Sequence, residues 1–309
     1  MRLHLPPVVV LVLVLAGCSS PTDETDSEFL RKAGWTVAEQ VASHRVTLPE
    51  RFADEPGAFP LGFYWAYNNE LSKDVGLDMA PYAGKEVTAV IYRLNETLAD
   101  SNPNKEMRAV VVRHEGRLAG AYLDRMGHMG FAASLKGRTL GEITRKPLGQ
   151  WLEAAKVVDW GHPTYQALKK LEPEEMIRIY YGLLNSHSYE QARTMHSLQE
   201  RTWYLFANRK RDEIYNAGFE ANERYGGGVR NIRAATVKNI GAPRDITREV
   251  GGITGMERQV VKAQQYGVSL DLTLARETTS RSGPHHYFIN VVKEMPLAPW
   301  LLDGWGTGP

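Results

Sequence analysis

One thiol, nine imidazoles and a few carboxylates set among apolar residues are the side chains here with the most chemical potential. Cys18 is the sole cysteine, which excludes an intrachain disulfide and a zinc site built on several thiolates. It follows Leu15-Ala16-Gly17, where small side chains would let a peptidase grip extended backbone. His285 and His286 are neighbours on an expected strand and point to opposite faces, so they cannot easily chelate one metal together. His187 and His196 fall in separate helical turns, read as solvent-exposed or helix-end positions without a third ligand. Asp271 sits between Leu270 and Leu272; inside a cavity such a carboxylate could serve as a base, but the alternation sets it on a solvated face. Tyr180, Trp203, Tyr204, Tyr266 and Trp305 are candidates for lining a pocket with Asp271, although aromatics at these spacings are more often core.

The motifs that would name a chemistry are missing. The sequence has no HExxH, no GxSxG and no P-loop. Gly304, Gly306 and Gly308 have no following helix, so they cannot set a phosphate on a helix N-terminus. Arg209-Lys210-Arg211, broken by Asp212 and Glu213, reads as a solvated helix face. The expectation is no catalytic residue, no metal and no cofactor.

The elements that must position these residues begin with an export signal. Residues 8–16 are unbroken Val, Leu and Ala after Arg2. The run is shorter than the about 20 residues of a spanning helix and fits the apolar part of a secretory signal. With Leu15-Ala16-Gly17-Cys18 behind it, the segment resembles the lipobox of bacterial lipoproteins. That resemblance implies a diacylglyceryl group on Cys18 and cleavage between Gly17 and Cys18. Residues 1–17 are then a signal peptide and residues 18–27 a lipidated, polar tether. The protein is expected to be exported and held by its lipid on the outer face of the bacterial cell membrane. Losing Arg2 takes the formal charge from +1 to zero, so neither nucleic acid nor electrostatic membrane attachment is implied.

The rest of the 309 residues, 43% hydrophobic and 24% charged, has the composition of a globular protein. Residues 28–137 read as a small α+β unit. It has a helix over 28–33, a short extended piece at 46–49, a helix over 63–73 and strands over 85–94, 107–114 and 117–123. Glu115-Gly116 is its hairpin turn. Phe29-Leu30, Gly34-Trp35, Tyr67-Asn68, Gly76-Leu77-Asp78 and Pro81-Tyr82-Ala83-Gly84-Lys85 make this stretch resemble domain of unknown function family 4830. Residues 138–171, with Trp151 and Trp160, are too aromatic for a free linker and read as an ordered connector.

Residues 172–309 read as helices followed by strands. Met176, Ile177, Tyr180, Leu183 and Leu184 share a face of the first helix, and a helix is expected from 198 to about 225. Strands are expected over 229–240, 258–276, 285–293 and 300–307, with Val268, Leu270, Leu272 and Leu274 on one face. This order predicts an α+β fold with helices on a curved antiparallel sheet. It resembles the nuclear transport factor 2-like superfamily and, through Tyr180-Tyr181, Leu184-Asn185 and the ending Gly304-Trp305-Gly306, domain of unknown function family 4829. Such cones hold a small ligand or pack shut, and enzymes and binding modules both use them. The sequence therefore predicts a non-catalytic envelope lipoprotein that binds a protein or small molecule. The rival is a hydrolase or isomerase working in the cone.

Overall fold

The computed structural model describes residues 25–98, 106–126, 131–206, 209–216, 229–251, 258–277 and 280–307. Gly17 and Cys18 lie outside them. No helix among the described residues is long and apolar enough to cross a membrane.

The first unit opens with α1 (Asp26–Lys32), whose N-terminus is closed by a capping box between Thr25 and Glu28. A four-stranded antiparallel sheet follows in the order β1 (Val37–Thr47), β2 (Glu86–Leu94), β3 (Met107–His114), β4 (Arg117–Arg125), with α2 (Leu61–Lys73) between β1 and β2. β1 is an eleven-residue edge strand where the sequence suggested only a short piece near residue 46. Glu115 (φ 48°) and Gly116 (φ 80°) are both left-handed, as a two-residue hairpin turn requires.

Both faces of this sheet are covered, which explains the unbroken apolar run in β3. One face sets Val87, Ala89, Ile91, Val110 and Val112 against Phe63, Tyr64, Tyr67 and Leu71 of α2. The other sets Val90, Val111, Ala121 and Leu123 against Leu30, Trp35 and Leu135. Gly120 admits the close approach of Met79, whose sulfur would lie 2.5 Å from a Cβ there.

The connector forms α3 (Leu140–Thr144), α4 (Leu148–Ala154) and α5 (Pro163–Leu168). The second unit continues with α6 (Pro173–Asn185), α7 (Tyr189–Thr194) and α8 (Leu198–Phe206). Its strands are β5 (Ile232–Ile240), β6 (Arg244–Asp245), β7 (Lys262–Leu274), β8 (Gly283–Lys293) and β9 (Leu301–Gly306). The sheet order is β5-β7-β8-β9, with β6 paired to β7, all antiparallel. The molecule is thus α+β in both units. The apolar stripe of α6 meets the inner face of this sheet: Met176, Tyr180 and Leu184 share a buried cluster with Val268, Leu270, Leu272, Ile289 and Val291. Side chains occupy the space between helix and sheet.

The cores do not divide where the chain does. The cluster around α2 also contains Trp151 and Tyr165 of the connector and Leu198, Leu205, Phe206, Ile214 and Leu301 of the second unit. Phe206 stands 4.9 Å from the rings of Tyr64 and Phe131. α8 runs to Phe206, well short of the expected residue 225, and its last turn is buried against α2. The chain then runs over 209–216 without helix; residues 217–225 of that expectation lie outside the described residues.

Candidate functional site

Two buried charge clusters and one groove lie where the units meet. The first cluster locks the junction. Arg108 of β3 and Asp124 of β4 face each other across the sheet and form a wholly buried ion pair. Arg209 forms a second ion pair with the same carboxylate. Arg108 also donates to the carbonyls of Arg211 and Glu213, the latter at 3.0 Å. The Tyr64 hydroxyl donates to Ile214 O at 3.1 Å. Of the basic segment expected to be a solvated helix face, Lys210 and Arg211 are exposed, but the segment is not helical and Arg209, only 4% exposed, is fastened to the first sheet. Although burial opposes ionisation, Arg108 and Arg209 hold the Asp124 carboxyl below its ordinary range. A related ion pair joins Arg201 of α8 to Asp54, 2.9 Å apart, and the Tyr165 hydroxyl donates to Asp54 as well.

The second cluster sits at the start of α8. Ser197 precedes the helix, accepts from the Glu200 N–H at 3.0 Å and donates to Asp303 of β9 at 2.5 Å. The Leu198 N–H donates to Glu294 at 3.2 Å, placing a carboxylate at the positive end of the helix. Arg258 donates to Glu294 at 3.0 Å and forms an ion pair with Asp303. Glu200 lies alongside, hydrogen-bonded to Tyr204. It faces Gly304, where a Cβ would stand 3.9 Å from its carboxylate and where φ is 114°. One guanidinium therefore pairs with two carboxylates while a third stands beside them. Burial and then the charge of Asp303 push the Glu200 carboxyl up to about 7. Burial likewise raises Glu294.

The groove shares Arg258 with this cluster. It encloses about 840 Å³, and its walls include Leu98, Arg125, Lys136, Thr139, Glu142, Arg145, Lys146 and Arg258. Five cationic side chains thus face one carboxylate. Glu142 is already engaged at the start of α3, where it accepts from the Thr139 N–H at 2.8 Å. Arg145 caps α3 in the left-handed region (φ 55°). At Gly149 in α4 a Cβ would stand 2.5 Å from the Met295 sulfur, which shows how closely α4 rides on the strand end carrying Glu294.

The residues expected to line a cone do not converge. Tyr180 and Tyr266 are core residues of the second unit; the Tyr266 hydroxyl donates to Gln264 at 2.9 Å. Trp203 packs against the shared core. Asp271 faces away from the interior and pairs with Lys238 at 2.9 Å, with 46% of its side chain exposed, so it does not line a pocket. Trp305 lies in β9 opposite Ile289, and its side chain is outside the described residues. Tyr180 and Tyr204 come together around His196, and the Trp203 ring stands 5.0 Å from that of Tyr204. His196 is not at the surface: it is 5% exposed, and burial followed by Arg201 lowers it to about 3, which keeps it neutral. His285 donates through Nε2 to Arg281 O in its own loop and stacks on Tyr287, while His286 bonds Ser269 across the sheet. No group of three His, Cys, Asp or Glu suited to a metal occurs among the described residues.

Sequence reasoning missed Glu200, Arg258, Glu294 and Asp303, and all the groove cations. The one local signal was Ser197-x-x-Glu200, the spacing of a helix start, which explains the backbone bond but not the cluster.

Residues 29–123 match the family model described as Domain of unknown function (DUF4830). Residues 174–306 match Domain of unknown function (DUF4829). The chain carries these two domains in that order. No curated protein and no solved structure matches it. Arg125, Lys136, Arg145 and Lys146 all fall in the stretch that neither family model covers.

Proposed function

We propose that this chain is an exported, lipid-anchored protein that binds an anionic ligand in the groove between its two units and does not transform it. The observation that carries the binding reading is the groove's lining, five cations against one engaged carboxylate. Three more features support it. The interior of the second unit, with its helices-then-sheet order of the nuclear transport factor 2-like kind, is filled by its own side chains. Arg258 is set in place by two buried carboxylates, so one wall cation keeps its position without ligand. The anchor rests on Leu15-Ala16-Gly17-Cys18 after an apolar run. Mass spectrometry of membrane-extracted protein should find a lipid-modified Cys18 at the mature N-terminus. Titration of the mature chain with small anions and cations should give saturable heat for anions alone. A mature chain starting elsewhere, or equal affinity for cations, contradicts the reading.

A second reading is favoured by Glu200. A carboxyl brought near neutrality beside a second carboxylate and a tyrosine is the arrangement of a general acid–base. On that reading the protein is a hydrolase or isomerase. Turnover of a chromogenic ester, phosphoester or glycoside, abolished in Glu200→Gln, would replace the binding account.

A further inference from the structure

We propose that Asn185 is an autoinhibitory strand mimic: its side chain fills the place on β5 where a further strand would pair, and so keeps the chain from joining a second copy of itself edge to edge. β5 is an edge of the second sheet, with β7 on its other side. Such an edge offers unpaired N–H and C=O groups to any extended chain. Here the Asn185 amide donates to Ala235 O at 2.8 Å, and the Ala235 N–H donates to Asn185 Oδ1 at 2.6 Å. A carboxamide carries the donor and acceptor of a peptide group, so Asn185 makes the two-bond exchange that a residue of a neighbouring antiparallel strand would make. Both main-chain groups of a residue in such a ladder point to one side, and those of Ala235, taken by Asn185, are turned to the open edge. This edge lies apart from the groove, whose walls hold no residue of α6 or β5.

The flanks of β5 are guarded by their own irregularity. The register against β7 shifts between Ile232 and Ala234 and again between Val237 and Asn239. Shifts of this kind bend an edge out of line with an incoming strand. Between them Ala234, Ala235, Thr236 and Val237 oppose Thr273, Leu272, Asp271 and Leu270 one for one. This regular stretch has no charge of its own to repel a strand, and Ala234 and Thr236 are exposed. It is the part of the edge that needs a guard, and the Asn185 side chain sits at its second residue.

A second copy fits this edge by symmetry. Antiparallel pairing about a two-fold axis at Ala235 sets that residue opposite itself, Ala234 of each copy opposite Thr236 of the other, and Arg233 opposite Val237. No like charges meet, which directly opposed strands require, and one patch serves both copies, as a two-fold contact demands. The guard is also placed to withdraw. Asn185 is the last residue of α6 and is exposed, and the chain leaves it through Ser186 and the left-handed His187 (φ 57°). The contact between Asn185 and Ala235 therefore ties the end of α6 to the edge it protects.

The test uses the chain from Ser19 onward, since every described contact lies beyond residue 24. Sedimentation equilibrium over a range of concentrations compares the wild type with Asn185→Ala, Asn185→Asp and the double variant Asn185→Ala/Ala234→Lys. The wild type should remain monomeric where Asn185→Ala dimerises, with a dissociation constant lowered at least tenfold. Asn185→Asp keeps the acceptor for the Ala235 N–H and loses the donor, and should fall between them. A lysine on the edge blocks strand pairing, so the double variant should return to monomer. Amide hydrogen exchange gives a readout that general destabilisation does not reproduce. In dilute Asn185→Ala, the Ala235 amide should exchange at least tenfold faster while those of Leu270 and Leu272 are unchanged, and it should slow again as the variant associates. An Asn185→Ala chain that stays monomeric at every concentration overturns the proposal, as does an Ala235 amide protected as in the wild type. Association that the double variant does not reverse lies on another surface and overturns it equally. Should Asn185→Ala fail to fold, the same two measurements on Asn185→Asp decide.

Discussion

The two buried charge clusters solve the same problem with opposite balances. Around Asp124, two guanidinium groups share one carboxylate, and the carbonyls of Lys210, Arg211 and Glu213 accept from the terminal nitrogens of Arg108. Around Arg258, one guanidinium serves Glu294 and Asp303 while Glu200 stands beside them. Burial opposes ionisation in both: two cations still hold the Asp124 carboxyl down, whereas burial and then Asp303 raise the Glu200 carboxyl. The first arrangement is charged at every ordinary pH and behaves as a fastener. The second holds a group that titrates near neutrality next to the groove. A buried charge is an element of structure when its partners are in excess, and a titratable device when they are short.

The largest expected effect breaks the fastener. Asp124→Ala leaves two buried guanidinium groups facing each other and should cost about 3–5 kcal/mol in denaturant unfolding. Because the carboxyl of Asp124 is depressed, its stabilisation is fully present above the ordinary carboxylate range and is lost as pH falls through the depressed value. The same reasoning applies to fragments. Residues 28–137 lack Arg209 and Phe206, so that fragment alone should not show a cooperative transition; a sharp one would mean that the shared core contributes little.

The second effect calibrates an uncharged part of the second unit against its charged surface. Leu272→Ala removes a side chain from the α6–β7 core and should cost about 2–5 kcal/mol. Asp271→Asn, one residue away, should change stability by less than about 0.5 kcal/mol, because Asp271 pairs with Lys238 in solvent. Melting curves that reverse this order would invert the face assignment of β7.

A smaller effect with the opposite sign to Asp124 is expected at Glu200. Its folded value, about 7, lies above its ordinary 4.5, so folding disfavours its ionised form. That penalty is absent below pH 4.5, grows as pH rises towards 7 and is complete above it. Glu200→Gln should therefore match the wild type near pH 4 and exceed its stability at pH 8 by about 1–2 kcal/mol. Equal stability at both pH values would show that the cluster is compensated in some other way.

What the sequence made legible follows from how local each signal is. The hairpin at Glu115-Gly116, the stripe of α6 and the alternation of β7 are written in consecutive residues, and the structure places them as their periods require. β1 escaped notice because it is an edge strand with exposed Glu39, Gln40, Ser43 and Arg45 and two register shifts against β2, which blur any apolar alternation. The end of α8 was overestimated because residues after Phe206 continue in helix-compatible types, while the actual stop is tertiary: Arg209 turns back to reach Asp124. The carboxylate cluster was invisible for a related reason. Residues 200, 258, 294 and 303 are gathered by a helix start, a loop, a strand end and β9, and each alone reads as an ordinary surface charge. Asp271 attracted attention by its apolar neighbours, yet a strand places neighbours on opposite faces.

The central claim is that burial, and then the charge of Asp303, raise the Glu200 carboxyl towards neutrality despite the nearby Arg258. A carbon-13 NMR titration of the Glu200 carboxyl in the intact mature chain tests it most directly, assigned by its loss in Glu200→Gln. The account predicts a midpoint near 7, displaced from the bulk of the glutamates. A midpoint near 4.5 would contradict it and would place Glu200 among the ordinary surface carboxylates.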